Sequence, residues 1–158
     1  MKNIGQIASE FIELSRKDAK LIAENKSKIV KDACLRDAEG DPEMADLEYG
    51  TLLYSVIAAD DKITGKEFKL LCAHAEDVLG NWVDAKKKKA LAEDVLADRT
   101  FFAANAKRFA TNYLTKWSDE EKEAFVFCCL AACSLDRNIT DDELAWLDEL
   151  MNIANADE

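Results

Sequence analysis

The sequence predicts an all-α fold, and three observations carry that reading. Apolar residues recur every three to four positions instead of alternating. Ser/Thr-x-x-Glu boxes mark helix starts at Thr64, Ser118 and Thr140. Breakers are scarce, with five Gly and one Pro in 158 residues, which argues against a turn-dense β-sandwich. The length suits one compact domain, residues 1–158, with a sizeable core built from seven or eight helices.

Along the chain, Ile4, Ile7, Phe11, Ile12 and Ala19 open a helical pattern that continues through Ile29, Val30 and Cys34. A break is expected near Asn25–Ser27, and a stop at Gly40. Asp41-Pro42-Glu43 then reads as a helix start: a capping Asp, a Pro where the missing N–H is harmless, and an acid facing the positive dipole end. Leu47, Leu52, Leu53, Val56 and Ile57 carry that helix. Thr64 opens another, with Phe68, Leu71, Cys72, Ala75, Val78 and Leu79 on one face, closed by Gly80. Trp82–Ala97 is amphipathic and holds Lys86, Lys87, Lys88 and Lys89 in a row. Thr100 is the expected cap of a helix bearing Phe101, Phe102, Ala106, Phe109 and Tyr113. Ser118 leads into the apolar run from Ala124 to Leu135, and Thr140 into Leu144, Leu147, Leu150 and Met151.

Charge narrows the partners. The net charge is −11, which disfavours sequence-independent binding to nucleic-acid backbones and to anionic membranes. Four consecutive lysines project around most of a helix and make no focused stripe. Nearly all the excess lies in residues 117–158, which hold 2 basic and 12 acidic side chains; such an end is either a solvated face or an attractor for a cation or a basic partner. The first residues lack the apolar core of a secretory signal, and the apolar run at 124–135 is too short to span a bilayer. The five cysteines, Cys34, Cys72, Cys128, Cys129 and Cys133, are odd in number, and most sit on helix faces. Small buried thiols in a reducing cytoplasm are therefore expected, with no integral membrane association.

The most informative feature is a repeat at an offset of 76 residues. Asp60 matches Asp136, Ile63 matches Ile139, Thr64 matches Thr140, Glu67 matches Glu143 and Leu71 matches Leu147. A helix–loop–helix unit thus occurs twice, with residues 52–79 expected to superpose on 128–155. In each copy the Asp closes the first helix, the Ile pins the loop to the core, and Thr and Glu cap the second helix. Two readings of the acids stand side by side: caps and loop braces, or oxygen ligands for a hard cation. An EF-hand is excluded, because Lys62 takes an oxygen-ligand position and Leu71 and Leu147 stand where the bidentate Glu is required.

The units Ala59-Asp60-Asp61-Lys62-Ile63-Thr64-Gly65-Lys66-Glu67 and Leu135-Asp136-Arg137-Asn138-Ile139-Thr140-Asp141-Asp142-Glu143 resemble the Ala-Asp-Gly-x-Ile-x-x-x-Glu hallmark of the TerB-like family. That all-helical domain is found in tellurite-resistance proteins and in DjlA-type co-chaperones. The resemblance covers residues 45–155, with the helices of residues 4–39 as part of the same domain. Both hallmark glycines are replaced, by Asp61 and Arg137. The resemblance implies a divalent cation (Ca²⁺, Mg²⁺ or Zn²⁺) held by Asp60, Glu67, Asp136 and Glu143, with Asp141 and Asp142 as lesser candidates, and a role in bacterial stress or tellurite resistance.

Catalytic signatures are weak. His74 is the single histidine, with Asp77 one turn away and no nucleophile in recognisable spacing. Ser55 and Ser134 lack His-Asp companions, and no Gly-rich phosphate loop exists. The leading expectation is a non-enzymatic cytoplasmic binding or adaptor module for a protein partner. The alternative is a metal-dependent enzyme using Asp60 and Asp136 as paired carboxylates.

Overall fold

A computed structural model describes residues 2–59, 64–68, 93–134 and 139–156. Six α-helices are described from end to end: α1 (Ile4–Ile12), α2 (Arg16–Asp37), α3 (Pro42–Ile57), α4 (Arg99–Asn112), α5 (Asp119–Cys133) and α6 (Asp141–Ala154). A 3-10 turn, Leu114–Lys116, joins α4 to α5, and residues 65–68 and 93–97 are also helical. No strand occurs among the described residues. The fold is all-α.

The core is organised around α5. From Ala124 to Cys133 every residue is buried, so this helix has no solvent face over ten consecutive positions. It packs against α1, α2, α3 and α6. A helix apolar on all sides has to be wrapped by others, and the surrounding helices each turn one stripe inward: Ile4, Ile7 and Phe11 from α1; Ala23, Val30, Ala33 and Cys34 from α2; Leu147, Leu150 and Met151 from α6. Phe11 meets Phe127 edge-on with ring centroids 5.3 Å apart, a favourable aromatic arrangement. The second layer is α4, which lies on α3 and α6.

Local signals set most helix ends. Ser118 and Thr140 both form complete capping boxes, and Asp41 caps α3 by accepting from the Glu43 amide at 3.0 Å, with Pro42 in the first turn. The α2 terminus is a Schellman motif: Gly40 N–H donates to Leu35 O at 2.9 Å and Glu39 N–H to Arg36 O at 3.1 Å. In it Glu39 has φ 53° and Gly40 φ 87°. The stop expected at Gly40 is present, with a non-glycine residue in the left-handed position before it.

Three local expectations are corrected. The break in the first helical pattern falls at Glu13–Ser15, where Ser15 caps α2 by accepting from the Asp18 amide at 3.1 Å. Asn25–Ser27 runs through as helix, because the buried Ser27 hydroxyl is satisfied by the Tyr49 hydroxyl of α3 at 3.1 Å. The cap of α4 is Asp98, which accepts from Phe101 N–H at 3.0 Å, and Thr100 lies inside the first turn.

At the other end of the fold, α2 is tied to α5 through polar contacts. Arg36 donates to both carboxylate oxygens of Glu121, at 2.9 and 3.2 Å. Trp117 Nε1 donates to Asp37 Oδ2 at 2.8 Å. Glu121 also accepts from Ser118 N–H at 2.8 Å as part of its capping box. Its carboxyl is held below the usual range by the Arg36 guanidinium and the Ser118 amide, against the opposing effect of partial burial.

Candidate functional site

The two copies of the acidic unit differ in their surroundings. In the second, Glu143 is buried, 1% exposed, although it is an acid in the first turn of a helix. Its Oε1 accepts from the Thr140 N–H and the Thr140 hydroxyl, both at 2.9 Å, and the Thr140 oxygen accepts from Glu143 N–H at 3.3 Å. In the first copy Thr64 Oγ1 accepts from Glu67 N–H at 3.1 Å, and the Glu67 side chain is exposed. Asp141 and Asp142 face outward at the start of α6.

Of the four residues expected to ligate a cation, Glu67 and Glu143 can therefore be placed, and Asp60 and Asp136 lie outside the described residues. So do Asp61, Ile63, Arg137, Asn138, Cys72, His74, Asp77 and the lysines 86–89. The superposition of residues 52–79 on 128–155 falls partly there as well. Among the described residues no three His, Cys, Asp or Glu side chains come together in a metal-holding group. The carboxylate of Glu143 already serves the cap, which is the chemistry its burial requires, since a buried charge must be satisfied by donors. Ile139, expected to be a buried loop anchor, is half-buried and packs against the core.

What the fold does assemble is a groove of about 410 Å³ between α3, α4 and α6. It opens at the end of α3, beside Ser55, Ala58 and Ala59. Its far wall is α6, with Asp142, Trp146 and Glu149, and its third side carries Arg99 and Phe102.

Trp146 is its best-anchored element. Its indole Nε1 donates to Ser55 Oγ at 3.0 Å, and that hydroxyl donates onward to Leu52 O at 2.7 Å. Ser55 is in this way a positioning hydroxyl engaged on both sides, and its lack of a His-Asp companion in sequence agrees with that role. Lys107 of α4 sits 5.5 Å from the Trp146 ring centroid and pairs with Glu149 at 2.7 Å. An aromatic face beside a carboxylate is a seat for a cationic group, here taken by a side chain of the same molecule. The sequence reading missed the groove because its walls come from three segments far apart in the chain. The available signal was Trp146, a large aromatic at a half-polar position in an acidic helix.

The four described cysteines, Cys34, Cys128, Cys129 and Cys133, are buried thiols. Burial pushes the thiols of Cys34, Cys128 and Cys129 upward, Cys128 to about 12, which makes these three small apolar core groups with no nucleophilic role. No described helix is long and apolar enough to cross a membrane. Compared with protein-family models, curated protein sequences and solved structures, the chain gives no significant match.

Proposed function

We propose that the chain is a TerB-like helical binding module, acting in the cytoplasm as an adaptor for a protein partner and linked to stress or tellurite resistance. The observation that carries the binding role is the groove between α3, α4 and α6. It is open, it combines apolar surface from Phe102 and Trp146 with charges of both signs from Arg99, Asp142 and Glu149, and its indole is fixed in place by Ser55. A preformed concave surface with a few oriented polar groups is the usual form of a binding site. The duplicated Asp and Glu positions give the resemblance to the family, and the acidic end of the chain agrees with a site that prefers positive charge.

In this reading a divalent cation is a bridge between the loops, with Asp60 and Asp136 as its oxygen donors and Glu67 as a third. Glu143 is assigned to the cap. When bound, the cation would fix the two loops against each other and so shape the groove's open end.

Two measurements test the proposal. A photo-crosslinking residue at Ala145, on the groove wall, should capture a partner protein in cells, while the same residue at Lys28, on the exposed side of α2, should not. Equal capture at both positions, or none at Ala145, counts against a groove-borne binding role. Calorimetric titration of metal-free protein should show saturable uptake of Ca²⁺, Mg²⁺ or Zn²⁺, accompanied by a rise in thermal midpoint that Asp60→Asn and Asp136→Asn abolish. Absence of uptake at millimolar ion would leave a module that binds protein alone.

A further inference from the structure

The joint between α2 and α3 contains an arrangement of acids that ordinary ion pairing does not explain. Glu48 of α3 is 2% exposed. It lies against Asp37 and Cys34 of α2, and its Oε1 has no hydrogen-bond partner. Among the described residues Arg36 acts on Glu48, and its guanidinium is committed to both oxygens of Glu121. Lys31 of α2 adds positive charge on the side of Asp46. Asp46 lies close enough to Cys34 to act on it electrostatically, and the Cys34 thiol is itself pushed up by burial and by Glu48, which keeps it neutral. Trp117, from the turn before α5, gives its indole N–H to Asp37.

A buried carboxylate lying against a half-buried one repels it unless one of the two carries a proton. The donors decide which one. Asp37 receives the Trp117 N–H at 2.8 Å, so its Oδ2 already has a donor. Glu48 has an oxygen that receives nothing, and burial penalises its charge most strongly. We infer that Asp37 and Glu48 hold a single proton between them, with Glu48 as the neutral acid donating to the Asp37 carboxylate, and that this proton closes the joint between α2 and α3. The proton turns a repulsive contact into a hydrogen bond of the charge-assisted kind. It also makes the packing of α2 on α3 sensitive to rising pH, because removing the proton leaves two negative charges facing each other beneath the surface.

The expected titration supports the geometry. The Glu48 carboxyl is raised to about 9, chiefly by burial, then by Asp37. The joint's proton is therefore present at neutral pH and is withdrawn on the alkaline side. A folded-state value above the unfolded one means the folded chain binds the extra proton. The joint's contribution is fully present below the unfolded value near 4.5 and is lost as pH rises through about 9.

The test uses the whole chain. Infrared spectra of the folded wild type at neutral pH should contain the carbonyl stretch of a protonated carboxyl, and Glu48→Gln should lack it. In urea titrations between neutral pH and pH 9, the wild-type folding constant should fall by up to about tenfold per pH unit. Glu48→Gln should flatten that dependence, because its amide donates to Asp37 at every pH. Asp37→Asn should keep the infrared band, since Glu48 stays buried, but lose the partner that orients it, and the band should shift. Absence of the band in wild type would overturn the proposal, as would an unchanged pH slope in Glu48→Gln. The spectrum of the wild type keeps the test decisive even if a variant folds poorly.

Discussion

Glu143 is the residue whose two readings, cap or ligand, separate most cleanly by mutation. Replacing it with Ala removes the acceptor of the Thr140 N–H and of the Thr140 hydroxyl, each at 2.9 Å. The orphaned, partly buried amide costs about 1–3 kcal/mol. Loss of an acid from the first turn of a helix adds about 0.3–1 kcal/mol. The side chain is 1% exposed, so no water replaces these bonds without rearrangement, and the expected destabilisation is about 2–4 kcal/mol. Glu143→Gln keeps a carbonyl oxygen for the same amide and should cost about 1 kcal/mol. Glu67 provides an internal control: its side chain is exposed, so Glu67→Ala should fall within about 0.5 kcal/mol. Urea-induced unfolding followed by far-UV circular dichroism gives all three values. The reasoning is refuted if Glu143→Ala matches wild type within about 0.5 kcal/mol, or if Gln is as damaging as Ala.

Glu39 occupies a left-handed conformation, φ 53°, that glycine adopts without steric penalty; Glu39→Gly should therefore raise stability by about 0.5–1 kcal/mol in the same urea assay. A lower midpoint would mean that the side chain contributes something the Schellman geometry does not show. Ile139→Ala should cost about 1–2 kcal/mol, below the usual range for a fully buried Ile, because Ile139 is half-buried; calorimetric midpoints decide, and a larger loss would place it in the core proper. In a Cys72→Ser background, a thiol reagent at pH 8 should leave the native chain unlabelled until denaturant is added, since Cys34, Cys128, Cys129 and Cys133 are buried. Rapid native labelling would show that α5 is accessible.

The helix boundaries that sequence made legible are those written in adjacent residues. Asp41-Pro42, Ser118 and Thr140 each place donor and acceptor within three positions, and such signals act without reference to the rest of the chain. Where the partner is remote, the reading failed. A break is expected at Asn25–Ser27, and the helix runs through it with the Ser27 hydroxyl satisfied from another helix. Its partner, the Tyr49 hydroxyl, lies 22 residues away. Likewise the boxes at Thr64 and Thr140 read as equivalent, and only packing distinguishes an exposed Glu67 from a buried Glu143. Glu48 was one acid among many in the first fifty residues. The available hint was its spacing, three after Ala45 and four before Leu52, both buried, which puts it on the inward stripe of α3. The groove was illegible for a different reason: concavity is a property of three helices at once, and no local pattern encodes it.

The buried run of α5 also sets the order in which this chain can be made. Helices α1, α2 and α3 emerge from the ribosome well before residues 124–133, the surface they were shaped to cover. Until that segment arrives, the stripes that face it stay uncovered, and the α2–α3 and α3–α4 contacts are pairings that can form without it. Contacts that must wait for a distant segment slow folding and leave sticky surface exposed meanwhile. Synthesis of this protein therefore passes through a stage in which its first third is complete and still lacks its core. A chain stopped before Ser118 would carry α1 to α4 without α5, and it should be captured by chaperones that the finished molecule escapes.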